Sequence, residues 1–314
     1  MKYVKYAIKR ILSMIPIIIV VSFIVFFLLR LSGVDPVTVM IGEKQSTAEL
    51  RQTLTEQFDL DKPLFAQYQI WFTGILRGDL GIDYVNKQDI GGLIASRLPV
   101  TLGLVVISCV LGAFIAIILG VVAALNRNKW IDQALSVLMM VLSSAPSFVV
   151  SIFVLVIVSK YFPGYSFVGS YGNLREYLAR VSLPAVIMSL HMVAILGRIS
   201  RSSMITQLQS PYILTAQAKG IKKNNVTYKH AFQNAVIPVL TVAGLMFAGA
   251  VGGTVLIEQI FSLPGIGGLL ITSITQSNYP VVQVLVLFML LIYLIMSFIV
   301  DMLYAVIDPR VKIK

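Results

Sequence analysis

The chain has 314 residues, 57% of them hydrophobic and only 12% charged, with a mean hydropathy of +0.87 and a formal charge of +11. Soluble domains carry about 25% charged residues, so this composition excludes an ordinary water-soluble fold and places the chain in a membrane. The lone cysteine, Cys109, excludes a disulfide framework and reads as a small core or lipid-facing side chain.

Lys2, Lys5, Lys9 and Arg10 precede the first uncharged run, residues 11–29. A spanning helix needs about 20 mainly apolar residues. The run is Phe-rich, and no small-residue cleavage site follows before "RLSGVDP", which predicts a retained helix rather than the apolar region of a signal peptide. Residues 31–97 then form a long outer segment. In "TAELRQTLTEQFDL", Thr47 is placed to cap a helix in which Leu50, Leu54 and Phe58 recur every four residues. "PLFAQYQIWFTGIL" adds Leu64, Tyr68, Trp71, Phe72 and Ile75, an aromatic surface suited to the headgroup level or to packing on helix ends. Together they predict a small cap over an outer vestibule.

Further spans are expected at 98–126, 133–159, 181–197, 231–257 and 281–300, the short fourth using the stems of Arg180 and Arg198 to reach the interface. Gly112, Ala116 and Gly120, and again Gly244 and Ala248, follow four-residue spacing that lets helices approach closely in lipid. Pro146, inside "LSSAPSF", frees a backbone carbonyl and bends or breaks the third span. "FSLPGIGG" and "SNYP" interrupt the last uncharged stretch, and "PGIGG" reads as a turn. With the N-terminus inside, the inner segments 1–10, 126–132, 198–230 and 301–314 hold 15 Lys/Arg against 3 Asp/Glu, and the outer ones 10 against 11. The positive-inside bias therefore puts both termini in the cytoplasm. The predicted class is an all-α polytopic membrane protein with six transmembrane helices.

No Gly-x-x-x-x-Gly-Lys-Ser/Thr loop occurs, so no nucleotide site is expected in this chain. Neither His191 nor His230 has a His, Cys or carboxylate at ligand spacing, and the predicted spans contain no Asp or Glu. No catalytic residue, cofactor or metal site is therefore assigned, and a proton- or ion-coupled carrier is disfavoured. The polar positions left for a pathway are Ser143, Ser144 and Ser147 near Pro146, and His191, which either lines the pathway or bonds between helices.

Between the fourth and fifth spans, "TAQAKGIKKNNVTYKHAFQNAVIP" carries four lysines and a histidine without one acid. Pro211 opens a short helix, Gly220 ends it in the left-handed conformation, and "IKKNNVTYKHAF" reads as a second short helix leading into the fifth span. The lysines by themselves need only satisfy the positive-inside bias at anionic headgroups.

Their neighbours say more. Tyr212, Thr215, Ala216, Ala218, Lys219 and Gly220, followed by His230, Ala231, Asn234, Ala235 and Pro238, resemble the cytoplasmic EAA motif of ABC transporter permeases, in the form of the peptide/nickel importer group. The likeness covers nearly the whole chain, through "YAIKRILSMIPIIIVVSFIVFFLLRL", "LDKPLFAQYQIWFTGILRGDLGIDY", "RLPVTLGL", "SAPSF", "GRISRSSM", "VLIEQIFSLPGIGGLL" and "DMLYAVIDPRV". Leu214 stands at the namesake Glu, Pro211 where Asp is common, and Gln233 where the broader motif has Pro; Ala216 and Gly220 keep the close-approach surface.

The resemblance implies an ABC importer permease fold: tail and first helix over 1–30, a cap-like segment over 31–97, a permease core over 98–305 with a coupling loop at 206–230, and a cytoplasmic tail at 306–314. It also implies a second homologous permease subunit, two cytoplasmic ABC ATPase subunits, an extracytoplasmic substrate-binding protein, and no nucleic acid. Ala216, Lys219, Gly220, Ile221 and Val226 would meet the ATPase. The implied cargo is dipeptides or oligopeptides, with nickel or a metal chelate as the alternative; a membrane scaffold without transport is the rival outside that class.

Overall fold

The computed structural model of the chain describes residues 2–42, 47–169 and 171–307, with side chains from Val4 to Met302. The helices in chain order are α1 (Lys2–Leu31), α2 (Pro36–Ile41), α3 (Ala48–Gln57), α4 (Leu64–Leu76), α5 (Ile90–Leu125), α6 (Trp130–Ser144), α7 (Ser147–Tyr161), α8 (Leu174–Leu208), α9 (Pro211–Ala218), the single turn α10 (Lys223–Asn225), α11 (Phe232–Ile260), α12 (Ile266–Thr275) and α13 (Tyr279–Ile307). A π-helical turn, Val226–Ala231, joins α10 to α11. Among the described residues the only strand-like pairing is the isolated bridge Ile82–Asp89. Of the tail expected at 306–314, residues 308–314 lie outside those described.

Among the described residues five helices are long and apolar enough to span a membrane, and α6 with α7, bent by 96° at the break between them, form either a broken sixth span or a re-entrant pair. The chemistry of Pro146 accounts for the bend. Ala145, forced out of the helical region by the proline after it, sits at φ −85°, ψ 119°, and α7 restarts directly beyond Pro146. The helices also outrun their uncharged windows: α8, at about 1.5 Å per residue, is about 50 Å long against a hydrocarbon core of about 30 Å. They consequently take in Asp132, Glu176, Glu258 and Asp301, carboxylates that the 20-residue windows left outside.

Contacts divide the chain into two units. The first holds residues 1–101 and 264–295, so the outer segment belongs with α1, α12 and the first half of α13. Ile90 and Ile94 of α5, Ile266 and Leu269 of α12, and Val281, Val284 and Leu285 of α13 form its apolar centre. Thr101 Oγ1 accepts the Ile266 N–H at 2.9 Å, satisfying a donor at the start of α12. That helix includes Gly267 and Gly268, so "PGIGG" is a turn only in its first half. Thr47 caps α3 as expected, accepting the Leu50 N–H at 3.2 Å. The aromatic face of α4 packs on α1: Tyr68 bonds Ser22 at 2.9 Å and meets Phe23 and Phe26 edge-on, while Trp71 lies 5.5 Å from Phe26. Packing on a helix, one of the roles its composition allowed, is met by this face, while Phe65 and Ile70 of the same helix stay exposed.

Asp83 is the knot of the outer loops. Its Oδ1 accepts the Val85 and Asn86 N–H groups at 2.7 and 2.9 Å and the Asn278 side chain at 2.6 Å, while Asn278 Oδ1 accepts the Tyr84 N–H at 3.2 Å. Burial alone would raise this carboxyl, but the donors from Asn86, Asn278 and Val85 outweigh it and hold Asp83 below the ordinary carboxylate value.

The second unit, residues 102–263 with 296–314, is organised around α8. Small residues decide how close α5 comes to it: a Cβ on Gly120 would fall 2.4 Å from Ser200 Cβ and 2.6 Å from the Gly197 carbonyl. Cys109 is buried, which selects the core option for it.

Candidate functional site

Residues 206–230 make a projection that sequence and backbone chemistry explain together. Pro211 occupies the first turn of α9, where its missing N–H costs nothing. Gly220 ends the helix at φ +76°, with its N–H on the Gln217 carbonyl at 2.9 Å and Ile221 N–H reaching the Ala216 carbonyl at 3.3 Å. A side chain there would meet no atom within 4 Å, so the glycine answers to backbone conformation alone. The expected second short helix is not separate. It runs through α10 and the π-helical turn straight into α11, so any push on the loop acts on the end of a spanning helix.

The five residues expected at the coupling surface divide in two. Lys219 and Gly220 are exposed and Ile221 is half-buried. Ala216 and Val226 are buried within the chain, in a cluster with Ala124 from the end of α5, Met204 from α8, Ile213, Ala231 and Ala235. This cluster is the floor of the projection. Lys222, Lys223 and Lys229 stay exposed around it.

A polar clasp, missed in the sequence reading, ties α9 to α11. Tyr212 Oη donates to Gln207 Oε1 at 2.8 Å, lies 3.4 Å from the His230 carbonyl, and accepts from Asn234 Nδ2 at 3.2 Å; Asn234 also donates to the His230 carbonyl at 3.1 Å. The π-helical turn ends at Ala231, next to that carbonyl, and such a turn disturbs the ordinary i to i−4 ladder. Tyr212, His230 and Asn234 all belong to the recognised motif, and that was the available signal.

A second missed feature is the bidentate pair of Arg201 with Asp132, Nε to Oδ1 at 2.5 Å and Nη2 to Oδ2 at 2.7 Å, with Asn128 N–H also on Oδ2 at 3.0 Å. It joins the start of α6 to the last part of α8. Both residues fall in segments expected on one and the same side of the membrane.

The expected pathway residues lie at two places. Ser143 and Ser144 flank the break before Pro146 and direct their hydroxyls back to the Met140 carbonyl at 2.8 and 2.9 Å, while Ser147 opens α7 and its carbonyl accepts from Ser151 at 2.8 Å. Such back-bonding occupies the hydroxyls within their own helices. His191 is exposed on α8, and no hydrogen bond joins it to another described residue. Among the described residues no group of three or more His, Cys, Asp or Glu is placed to hold a metal ion.

Comparison with known proteins covers both parts of the chain. Residues 116–313 match the family described as binding-protein-dependent transport system inner membrane component, and residues 3–105 match the corresponding N-terminal family. The oligopeptide transport system permease protein AppB of Bacillus subtilis (strain 168) is 34% identical over 313 residues, 98% of this chain and 99% of that protein. The glutathione transport system permease protein GsiC of Shigella flexneri serotype 5b is 32% identical over 309 residues, again 98% and 99%.

Proposed function

The chain belongs to the family of binding-protein-dependent transport system inner membrane components, and on that premise we propose that it is the permease subunit of an ATP-driven importer of dipeptides and oligopeptides. The peptide assignment is supported by relatives named for oligopeptide and glutathione transport, and glutathione is itself a small peptide. Nickel or a metal chelate is the competing cargo.

Two ATPase subunits close on ATP and push the coupling loops of this chain and of a second, homologous permease. Lys219, Gly220 and Ile221 receive the ATPase. Ala216 and Val226, held in the cluster behind them, pass the displacement to the ends of α5, α8 and α11. The pore changes from inward- to outward-facing, and an extracytoplasmic binding protein releases its cargo into it. A population shift needs only this differential contact between states. Ser143, Ser144, Ser147 and His191 line the route. An exposed histidine on a spanning helix suits an aqueous lumen, because exposure to lipid would be costly. Peptides present two charged termini and repeated amides, so a wide polar lumen serves them and selectivity rests with the binding protein.

The observation that carries this reading is the exposed left-handed turn at Gly220 in front of a buried floor. The test is uptake of radiolabelled dipeptide, pentapeptide and nickel in cells deleted for the gene and supplied with wild type or Gly220→Asp. Loss of peptide uptake that only wild type restores is the expected result. Selective loss of nickel uptake would replace the cargo and keep the mechanism. Equal rescue by Gly220→Asp would remove the coupling role.

A further inference from the structure

The first unit holds a half-open cavity of about 230 Å³ beside the outer end of α1, walled by α1, the end of α3 with Phe58 and Asp59, α4, the loop after α4 and the start of α13. Four buried polar atoms of its lining residues have no hydrogen-bond partner: Arg30 Nε, Trp71 Nε1, Gln283 Nε2 and Gln67 Oε1. Gln67 and Gln283 are only 8% and 3% exposed. The orientation of Gln67 is set by its own amide nitrogen, which donates to the Leu60 and Lys62 carbonyls at 3.2 and 2.8 Å, so its oxygen is an acceptor left waiting for a donor. Buried polar groups without partners are costly, and several around one cavity mark it as built for something polar.

Charge narrows the class. The Arg30 guanidinium stacks on Phe26 at 5.5 Å and forms no ion pair with a described residue. The two wall carboxylates are engaged elsewhere: Asp59 with Lys62 at 2.7 Å, Asp79 with the Gly81 N–H at 2.9 Å. What remains unpartnered among the buried lining atoms is a cation and further N–H donors together with one neutral acceptor, Gln67 Oε1. A matching ligand has an oxyanion next to an amine or hydroxyl group. The cavity is smaller than the 300–1,000 Å³ of ordinary small-molecule pockets, which suits a headgroup better than a peptide of several residues.

Position selects among such ligands. Arg30 ends a spanning helix on the side assigned to the outside, Trp71 is an interface-type aromatic, and Ile70 in the same wall is 43% exposed. We propose that this cavity holds the headgroup of an outer-leaflet phospholipid, its phosphodiester on Arg30, Trp71 and Gln283 and its terminal amine or hydroxyl on Gln67 Oε1. The ligand clamps α1 and α4 to the start of α13. It requires nothing of the coupling loop or of the transported substrate.

The test uses the full chain purified in mild detergent, with native mass spectrometry and quantification of extracted lipid. Arg30→Gln and Trp71→Phe remove donors while keeping side-chain bulk, and circular dichroism with size-exclusion chromatography checks that each variant folds. Wild type is expected to retain phosphatidylethanolamine or phosphatidylglycerol, with retention falling roughly tenfold in Arg30→Gln and less in Trp71→Phe, as expected for a charge-assisted and a neutral hydrogen bond respectively. Arg30→Lys should recover part of the loss. Soluble glycerophosphoethanolamine is the second probe. If it displaces the lipid at equal concentration, the site recognises a free solute and the lipid assignment falls. Equal lipid retention by wild type and both variants would mean the cavity holds only water, and would likewise overturn the proposal.

Discussion

Gly112 and Gly120 lie two turns apart on α5, yet the same substitution should affect them differently. A Cβ at 112 would stand 3.1–3.2 Å from the Met192 side chain, a contact relieved by a shift of a few tenths of an ångström. A Cβ at 120 would fall 2.6 Å from a backbone oxygen, that of Gly197, and 2.4 Å from Ser200 Cβ. Relief there requires the α8 backbone to move, and Gly197 is itself confined, since its own Cβ would lie 2.5 Å from Met139 Sδ. Alanine gains about 1 kcal/mol over glycine in a helix interior, whereas overpacking costs about 1–3 kcal/mol. Gly112→Ala should be neutral within about 1 kcal/mol, and Gly120→Ala destabilised by about 2 kcal/mol, at the upper end because the obstacle is backbone. Thermal midpoints of the purified variants, followed by the loss of the monodisperse size-exclusion peak on heating, would rank them. Equal midpoints, or Gly112→Ala below Gly120→Ala, would refute the argument that approach to α8 is closest at Gly120.

Asp132→Ala leaves the part-exposed Arg201 without its carboxylate and should destabilise the fold by about 2 kcal/mol, whereas Asp132→Ala with Arg201→Met should recover part of that loss; additive losses in a double-mutant cycle would show that the pair is not coupled. Asp83 has its folded value held below the unfolded value of about 4, so its stabilisation is complete above that pH and is lost as pH falls through the folded value. The wild-type thermal midpoint should therefore drop between about pH 5 and pH 3, and Asp83→Asn should flatten part of the drop; superimposable pH profiles would sink this reading.

The long apolar spans, the cap at Thr47 and the left-handed end at Gly220 were legible in the sequence because each rests on local chemistry. Run length against bilayer thickness, a hydroxyl before a helix and a glycine after one all act within a few residues. Two properties of single residues were readable without their outcomes. Pro146 announced a break, but not its angle of 96°. "PLFAQYQIWFTGIL" announced an aromatic face, but its contact with α1 depends on Ser22, Phe23 and Phe26 standing opposite.

Contacts between distant residues had no local signal. Asp83 with Asn278, 195 positions apart, Asp132 with Arg201, and Ala216 and Val226 turned into a shared floor are pairings that only the fold could create. The same holds for Arg30, Gln67, Trp71 and Gln283, unremarkable in separate stretches and joined around one cavity. Sequence determined which segments are apolar and long enough to enter a membrane, since transfer from water depends on each segment's own composition. Tertiary structure decided which polar groups find partners and which are left for a ligand, because satisfying a buried donor depends on what stands about 3 Å away, whatever the distance along the chain.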